Sequence, residues 1–210
     1  MKKILLIAII AVFAFSSCKK DTLGVSTVTT YPTLKLKGDV ASTITVGGSY
    51  SESGVVAMEG TKDISSGVKV TGTVNAAVPG VYTLTYIATN KDGFQASTRR
   101  YVGVVTSAAA EMDISGTYKR NAGVFGVVTV AKTKYPGLYI NNNPGGAAVN
   151  NIFIYMFQTD VNVVSAPSQD SSVGEFACTG GVYRNSGTPS FSWVCINSGY
   201  GTAARTFIKQ

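Results

Sequence analysis

Pro79-Gly80-Val81-Tyr82-Thr83-Leu84-Thr85-Tyr86-Ile87-Ala88-Thr89, followed by Asn90-Lys91-Asp92-Gly93, decides the fold class. Tyr82, Leu84, Tyr86 and Ala88 fall on one side of an extended chain, and Thr83, Thr85 and Thr89 on the other. That alternation describes a strand with one face in a core and one in water. Pro79-Gly80 supplies the turn before it, and Asn90 to Gly93 reverse the chain after it. Phe94 to Val105 then returns as a second strand, with Ala96, Thr98, Arg100, Val102 and Val104 sharing a face.

Working outward, Val68 to Val74 alternates in the same way. Thr43 to Val46 reads as a strand closed by Gly47-Gly48, and Thr33 to Lys37 follows Tyr31-Pro32. About seven such strands suit a small β-sandwich. Beyond Val105, Thr106 to Met112 is small and polar and reads as a linker. Ile114 to Tyr118 opens a second set of strands. Val127 to Lys132 and Leu138 to Asn141 flank a turn at Tyr135-Pro136-Gly137 and form a hairpin. Asn141 to Asn151 and Ser165 to Ser172 read as loops. Ile152 to Phe157 is apolar on both faces, as in a central strand. Phe176 to Arg184, Pro189 to Asn197 and Arg205 to Lys209 complete an antiparallel meander. Thr, Val, Ser, Gly and Tyr dominate, and no stretch carries a 3.6-residue apolar stripe. The expected class is all-β: a sandwich followed by a second antiparallel sandwich or barrel.

The first half resembles the bacterial immunoglobulin-like domains of surface proteins. The resemblance runs from Tyr31 to Val105. It is carried by Tyr31-Pro32 with Gly38, Gly48-Ser49-Tyr50, Gly54-Val55 with Ala57, Asp63-Ile64, and above all Pro79 to Tyr86. Asn90 with Asp92-Gly93, and Arg100 to Val104, complete it. The resemblance implies the fold and a stalk or spacer role. Relatives often carry Asp where this chain has Asn90, and they are acid-rich where it keeps only Glu59 and Asp63. Calcium takes six to eight oxygens, several from carboxylates, so no calcium site is expected. Ile114 to Tyr118 and the first hairpin resemble the C-terminal domains of uncharacterised Bacteroidetes surface lipoproteins.

The N-terminus supplies an address. Lys2-Lys3, the apolar run Ile4 to Phe15 and then Ser16-Ser17 describe a secretory signal peptide. The run falls short of the roughly 20 residues that span a bilayer as a helix. Cys18 directly after it resembles the lipobox of bacterial lipoproteins, with Phe15 where that family usually has Leu. The resemblance implies that Cys18 is lipidated and begins the mature chain. The expected organisation is therefore a signal peptide over 1–17, a tether over 18–29, an Ig-like domain over 30–106, a linker over 107–112 and a C-terminal β domain over 113–210. The expected location is the bacterial outer membrane, lipid-anchored. Acidic residues after the cysteine mark surface export in that group, and Lys19-Lys20-Asp21 offers one. Cell-surface and periplasm-facing placements both stay open.

Composition removes several function classes. The 210-residue chain has a formal charge of +7, which falls to +5 when Lys2 and Lys3 leave with the signal peptide. Its bases are scattered, which argues against nucleic acid as a partner. Lys19-Lys20 is placed for lipid headgroups. The chain has no histidine, so Ser-His-Asp and Cys-His catalysis are excluded. No Gly-rich phosphate loop is present, and no cofactor is expected.

Cys178 and Cys195 can be paired by register. A two-residue turn at Ser186-Gly187 sets Arg184 opposite Pro189, Val182 opposite Phe191, Gly180 opposite Trp193 and Cys178 opposite Cys195. Proline then sits at a non-hydrogen-bonded position, where its missing N–H costs nothing. The two cysteines occupy the same kind of pair, within disulfide range, and a Cys178–Cys195 disulfide is expected. That register puts Trp193, Phe191 and Val182 on the core face and Tyr183 on the outer face.

Aromatic residues are the remaining candidates for a site. Phe153, Tyr155 and Phe157 share a face, and Phe153 and Phe157 read as core. Tyr183, beside Ser190 and Ser192, and Tyr200, in the loop Asn197 to Gly201, are the candidate ligand-binding residues, because exposed rings can stack on sugars. Asp113, Asp160, Asp170 and Glu175 are the acids of the second domain, and Asp170 and Glu175 could converge as a hydrolase requires. The Arg99-Arg100 pair reads as an edge charge. The expected function is a non-enzymatic envelope protein whose Ig-like spacer presents a distal β domain to glycan or another surface. The alternatives are an accessory subunit of an outer-membrane assembly with protein partners and, last, a small hydrolase.

Overall fold

The computed structural model describes residues 28–123, 126–148 and 151–210. The expected signal peptide, Cys18 and most of the expected tether lie outside these residues. Residues 31–210 form one compact unit, built from two β modules.

The first module is a sandwich of two sheets. One holds β1 (Pro32–Leu36), β3 (Val55–Glu59) and β4 (Lys62–Asp63). The other runs in the order β2 (Ala41–Thr45), β7 (Gln95–Val105), β6 (Gly80–Thr89), β5 (Lys69–Thr71). Strand β2 lies parallel to β7, and β6 pairs antiparallel with β7 along its length. Leu84, Tyr86 and Ala88 are buried as the alternation of β6 requires. Arg100, 4% exposed, is a clamp inside this module and not an edge charge. Its guanidinium donates to the carbonyls of Asp39 (2.5 Å), Lys37 (2.6 Å) and Gly54 (3.2 Å), and pairs with Glu52 at 3.1 Å. The Gly54 carbonyl also accepts from Lys37 N at 3.0 Å, and the guanidinium supplies donors to this group of loop carbonyls.

The second module is a closed barrel. Strands β8 (Gly116–Arg120), β9 (Val127–Lys132), β10 (Leu138–Asn141), β11 (Ile154–Asp160), β12 (Val163–Ser171), β13 (Gly174–Arg184), β14 (Ser190–Ile196) and β15 (Ala204–Lys209) each pair with the next. β15 pairs back to β8 through Phe207 and Arg120. This is the barrel form of the expected meander, and closure leaves no free sheet edge. Eight strands make an interior just wide enough for side chains. Tyr118, Tyr139, Met156, Phe176, Phe191, Trp193 and Phe207 fill it, each essentially without solvent contact. The segment after β10, read from sequence as a polar loop, folds inward. Asn143 to Gly146 are buried, Trp193 Nε1 donates to the Pro144 carbonyl at 2.8 Å, and Gly145 lies against the Tyr200 ring. The loop is a plug.

The two modules are pressed together. Phe157, on the outer face of β11, is 0% exposed and packs with Ala41, Tyr101 and Leu138. A Cβ on Gly103 of β7 would stand 2.6 Å from the Phe157 ring, so only glycine permits this approach. Burial along β7 changes accordingly, from alternating before Arg100 to continuous from Arg100 to Val105. The linker expected over 107–112 is partly a short helix, α1 (Ser107–Ala110), capped by Thr106 Oγ1 accepting from Ala109 N. Thr106 also donates its N–H to the Thr159 carbonyl at 3.0 Å and its hydroxyl to Asp160 at 3.0 Å. The helix is thereby fixed to β11 and cannot act as a flexible joint.

Candidate functional site

Neither tyrosine singled out from sequence offers an exposed ring. Tyr183 is 2% exposed and part of the barrel core. The β13–β14 ladder pairs Cys178 with Cys195 and Thr179 with Val194 as expected. It then slips by one residue to pair Val182 with Ser192 and Tyr183 with Phe191. The slip is a bulge at Gly180-Gly181, where Gly180 takes a φ of 61°. One inserted residue reverses every side chain beyond it. Tyr183 therefore points inward and Val182 outward, and Gly180 does not face Trp193. Tyr200 is packed as well. Its ring meets Phe176 edge-on at 5.2 Å between centroids, and the Arg205 guanidinium lies 5.1 Å from its centre.

Among the described residues of the barrel, Phe153 offers the exposed ring. On the outer face of β11 the burial of alternate residues grades from Phe157 (0% exposed) through half-buried Tyr155 to Phe153, 62% exposed just ahead of the strand. The three residues do share a face, but it is the barrel's outer face. Its far end is covered by the first module and its near end is open. Reading Phe153 as core is thus corrected.

A cavity of about 170 Å³ lies at the open end, lined by Ile140, Phe153, Ile154, Tyr155, Gln169 and Asp170. The stretch Ser165 to Ser172, expected as a loop, is most of strand β12, and its irregularity shapes this cavity. Direct β11–β12 pairing runs from Asp160–Val163 only as far as Phe157–Ser165. Past that point the side chain of Gln169 takes over the ladder. Its Oε1 accepts from Tyr155 N at 2.7 Å, and its Nε2 donates to the Tyr155 carbonyl at 3.0 Å. Gln169 is buried with both ends used, so no orphaned backbone group remains beside Tyr155. β12 is thereby held apart from β11 by a side chain's width, and Asp170 comes to the rim.

Asp170 and Glu175 are cross-strand partners in the β12–β13 hairpin. Glu175 is engaged elsewhere. Its carboxylate meets Arg99 at 2.6 Å, which holds it below the usual carboxylate range, with the Ser168 hydroxyl adding to the effect. Arg99 and Tyr101 also donate to the Ser168 carbonyl, at 3.3 and 3.0 Å. Arg99 is therefore a strut between modules.

The cysteines face each other within the barrel, Sγ to Sγ 3.9 Å. Both are free thiols here, directly opposite each other on β13 and β14 and farther apart than the roughly 2.05 Å of a bond. Burial pushes the Cys178 thiol up. No cluster of three or more metal-ligating side chains occurs among the described residues.

Sequence reasoning missed Phe153 and Gln169. The signal for Phe153 was its place at the mouth of a strand, two residues after Asn151. Gln169 gave no local signal, because its role depends on where β12 leaves β11.

Residues 34–104 match the family model described as bacterial surface protein, Ig-like domain. No curated protein matches the chain. Among solved structures, a lipoprotein from Bacteroides thetaiotaomicron is similar at 22% identity and a TM-score of 0.41, covering 86% of this chain and 100% of that one. The M60 catalytic domain with two CBM51 domains of Clostridium perfringens ZmpB is similar at 14% identity and a TM-score of 0.33, covering 80% of this chain and 14% of that one. The CBM51-2 domain in complex with GlcNAc, with INT domains, from the same protein is similar at 16% identity and a TM-score of 0.31, covering 77% of this chain and 31% of that one.

Proposed function

We propose that this chain is a non-enzymatic, lipid-anchored protein of the bacterial outer membrane that binds glycan on the Phe153–Tyr155 face of its barrel. The observation that carries the reading is Phe153. Its phenyl ring, 62% exposed, lines one cavity together with the Tyr155 ring and Asp170, which places an apolar face beside a hydrogen-bond acceptor. Sugars present C–H faces that stack on such a ring and hydroxyls that donate to a carboxylate such as Asp170. The cavity is small beside the roughly 300–1,000 Å³ of enclosing ligand pockets, as a shallow platform for a surface-accessible chain would be. The match of residues 34–104 to a surface-protein Ig-like model supports an envelope location, with Cys18 as the anchor.

The test is a glycan-array screen of the full chain in detergent beside its Phe153→Ala variant. The wild type is expected to retain at least one glycan class. The variant is expected to lose at least tenfold in affinity, about 1.4 kcal/mol. Equal binding by the two proteins, or none by the wild type, overturns the reading. The anchor has its own test. Cells grown with an alkyne-tagged fatty acid should label the wild type and leave Cys18→Ser unlabelled, and label persisting on the variant would exclude Cys18 as the lipid site.

A further inference from the structure

The cavity beneath Phe153 is one of three along the seam. Tyr155 separates it from a second cavity of about 150 Å³, lined by Asp39, Ala41, Lys134, Tyr135, Leu138 and Tyr155 itself. Asp39 and Tyr135 in turn line a third, of about 300 Å³, which reaches Ser42, Thr43, Tyr50 and Arg100 of the sandwich. The three share walls in sequence and follow the seam between modules.

We infer that this seam is one extended binding cleft for a neutral linear oligosaccharide, lying from Phe153 on the barrel across Tyr135 onto the sandwich. The inference rests on the glycan reading of Phe153 and adds the length and charge of the ligand. Three features support it.

The first is adjacency. Neighbouring cavities share the side chain of Tyr155, or those of Tyr135 and Asp39, so a linear ligand passing over these residues meets the three in order. The second is charge. Asp39 is paired with Lys134 at 2.7 Å and accepts from the Tyr135 hydroxyl at 2.6 Å. These two hydrogen bonds, that of Lys134 first, hold its carboxyl below the usual range. Arg100 is paired with Glu52, and its two terminal nitrogens donate to carbonyls. The sandwich end therefore presents compensated charges, which suit neither a polyanion nor a polycation. The third is lining. Ser42, Thr43, Ser49, Ser51, Ser53 and Tyr50 put six hydroxyl-bearing residues around the third cavity. Hydroxyls donate and accept alike, as the hydroxyls of a neutral sugar do.

Such a cleft requires that the modules not swing. The burial of Phe157 and the Thr43 hydroxyl donating to the Pro136 carbonyl at 2.7 Å hold the seam from below. A ligand spanning both modules then meets sites already fixed relative to each other, and pre-organisation reduces the entropy lost on binding.

The experiment titrates the full chain in detergent with linear gluco- and manno-oligosaccharide series, from disaccharide to octasaccharide, by calorimetry. Affinity is expected to rise at least tenfold between disaccharide and hexasaccharide. Tyr135→Ala should abolish that rise and keep disaccharide binding. Tyr135→Phe, which keeps the ring and loses the hydroxyl, should retain most of the rise. Ser42→Leu fills the third cavity at a residue outside the Asp39 latch. It should shorten the length at which affinity stops rising, and it carries the test if Tyr135→Ala fails to fold. Affinity independent of length, or a wild-type rise in both Tyr135→Ala and Ser42→Leu, overturns the extended cleft and leaves the Phe153 reading standing. Disaccharide binding untouched by Phe153→Ala overturns the Phe153 reading itself. A wild type that binds no member of either series overturns the extended cleft, and the Phe153 reading falls with it only if the glycan array is empty as well.

Discussion

Phe157→Ala is expected to lower the stability of the folded unit by about 3–5 kcal/mol, the usual cost of emptying a fully buried aromatic site. The ring contributes nothing to the barrel interior, because it points outward from β11. Its burial comes from the sandwich: Ala41, Tyr101 and Leu138 surround it, and the backbone of Gly103 lies directly against it. Each module has its own core, centred on Leu84 and Tyr86 in one and on Phe191, Trp193 and Phe207 in the other. Removing Phe157 therefore weakens the seam more than either core. By calorimetry the wild type is expected to unfold in one transition. The variant should unfold in two, the first lowered by on the order of 10 °C for a chain of this size. A single transition within a few degrees of the wild type would mean that the modules are coupled by something other than this ring. The polar struts, Arg99–Glu175 and Asp39–Lys134, are exposed pairs and are expected to contribute little by comparison.

The second large effect concerns Cys178 and Cys195, which we propose are joined when the protein folds in the oxidising envelope. The residues are directly opposite on β13 and β14, so their sulfurs close from 3.9 Å by side-chain rotation and small strand movement. The step is thiol–disulfide exchange. An envelope disulfide oxidant accepts two electrons and both thiol protons, and the Sγ–Sγ bond forms. Both thiols are buried, so exchange must precede closure of the barrel. For a loop of this length the chain-entropy model gives roughly 3 kcal/mol of stabilisation. Protein recovered from the envelope is expected to be two protons lighter than its reduced form, and to lose that stability under reductant after unfolding. The paired substitution of Cys178→Ala with Cys195→Ala should make it insensitive to reductant. Equal native and reduced masses would show that the pair stays as thiols.

The strands were legible where their reasons are local. Tyr82 to Ala88 alternates because β6 has one face in a core, and the turns after it are written in Asn90 and Gly93. The meander was legible too, since each hairpin follows from adjacent runs. Closure into a barrel was not, because it rests on Phe207 opposite Arg120, residues far apart in sequence with no pattern to link them. Ile152 to Phe157 carried a true signal with two possible causes. Apolar character on both faces fits a central strand, and it equally fits a strand with a barrel core beneath and a second module above. Gly180-Gly181 was the overlooked cue. Paired glycines within a strand mark a bulge, and that bulge turns Tyr183 inward and takes it out of contention as a sugar platform. The plug escaped notice because Asn143 and Pro144 look like solvent-exposed loop until Trp193 supplies the buried partner for the Pro144 carbonyl.

Amide-resolved NMR titration of the chain with a neutral oligosaccharide that binds it would locate the ligand directly. Perturbations are predicted at Phe153, Tyr155, Gln169 and Asp170, with Trp193 and Tyr200 unmoved. Saturation centred on Tyr200 and the Gly145-Gly146 plug, with no change at Phe153, would contradict the placement of the site on the outer face of the barrel.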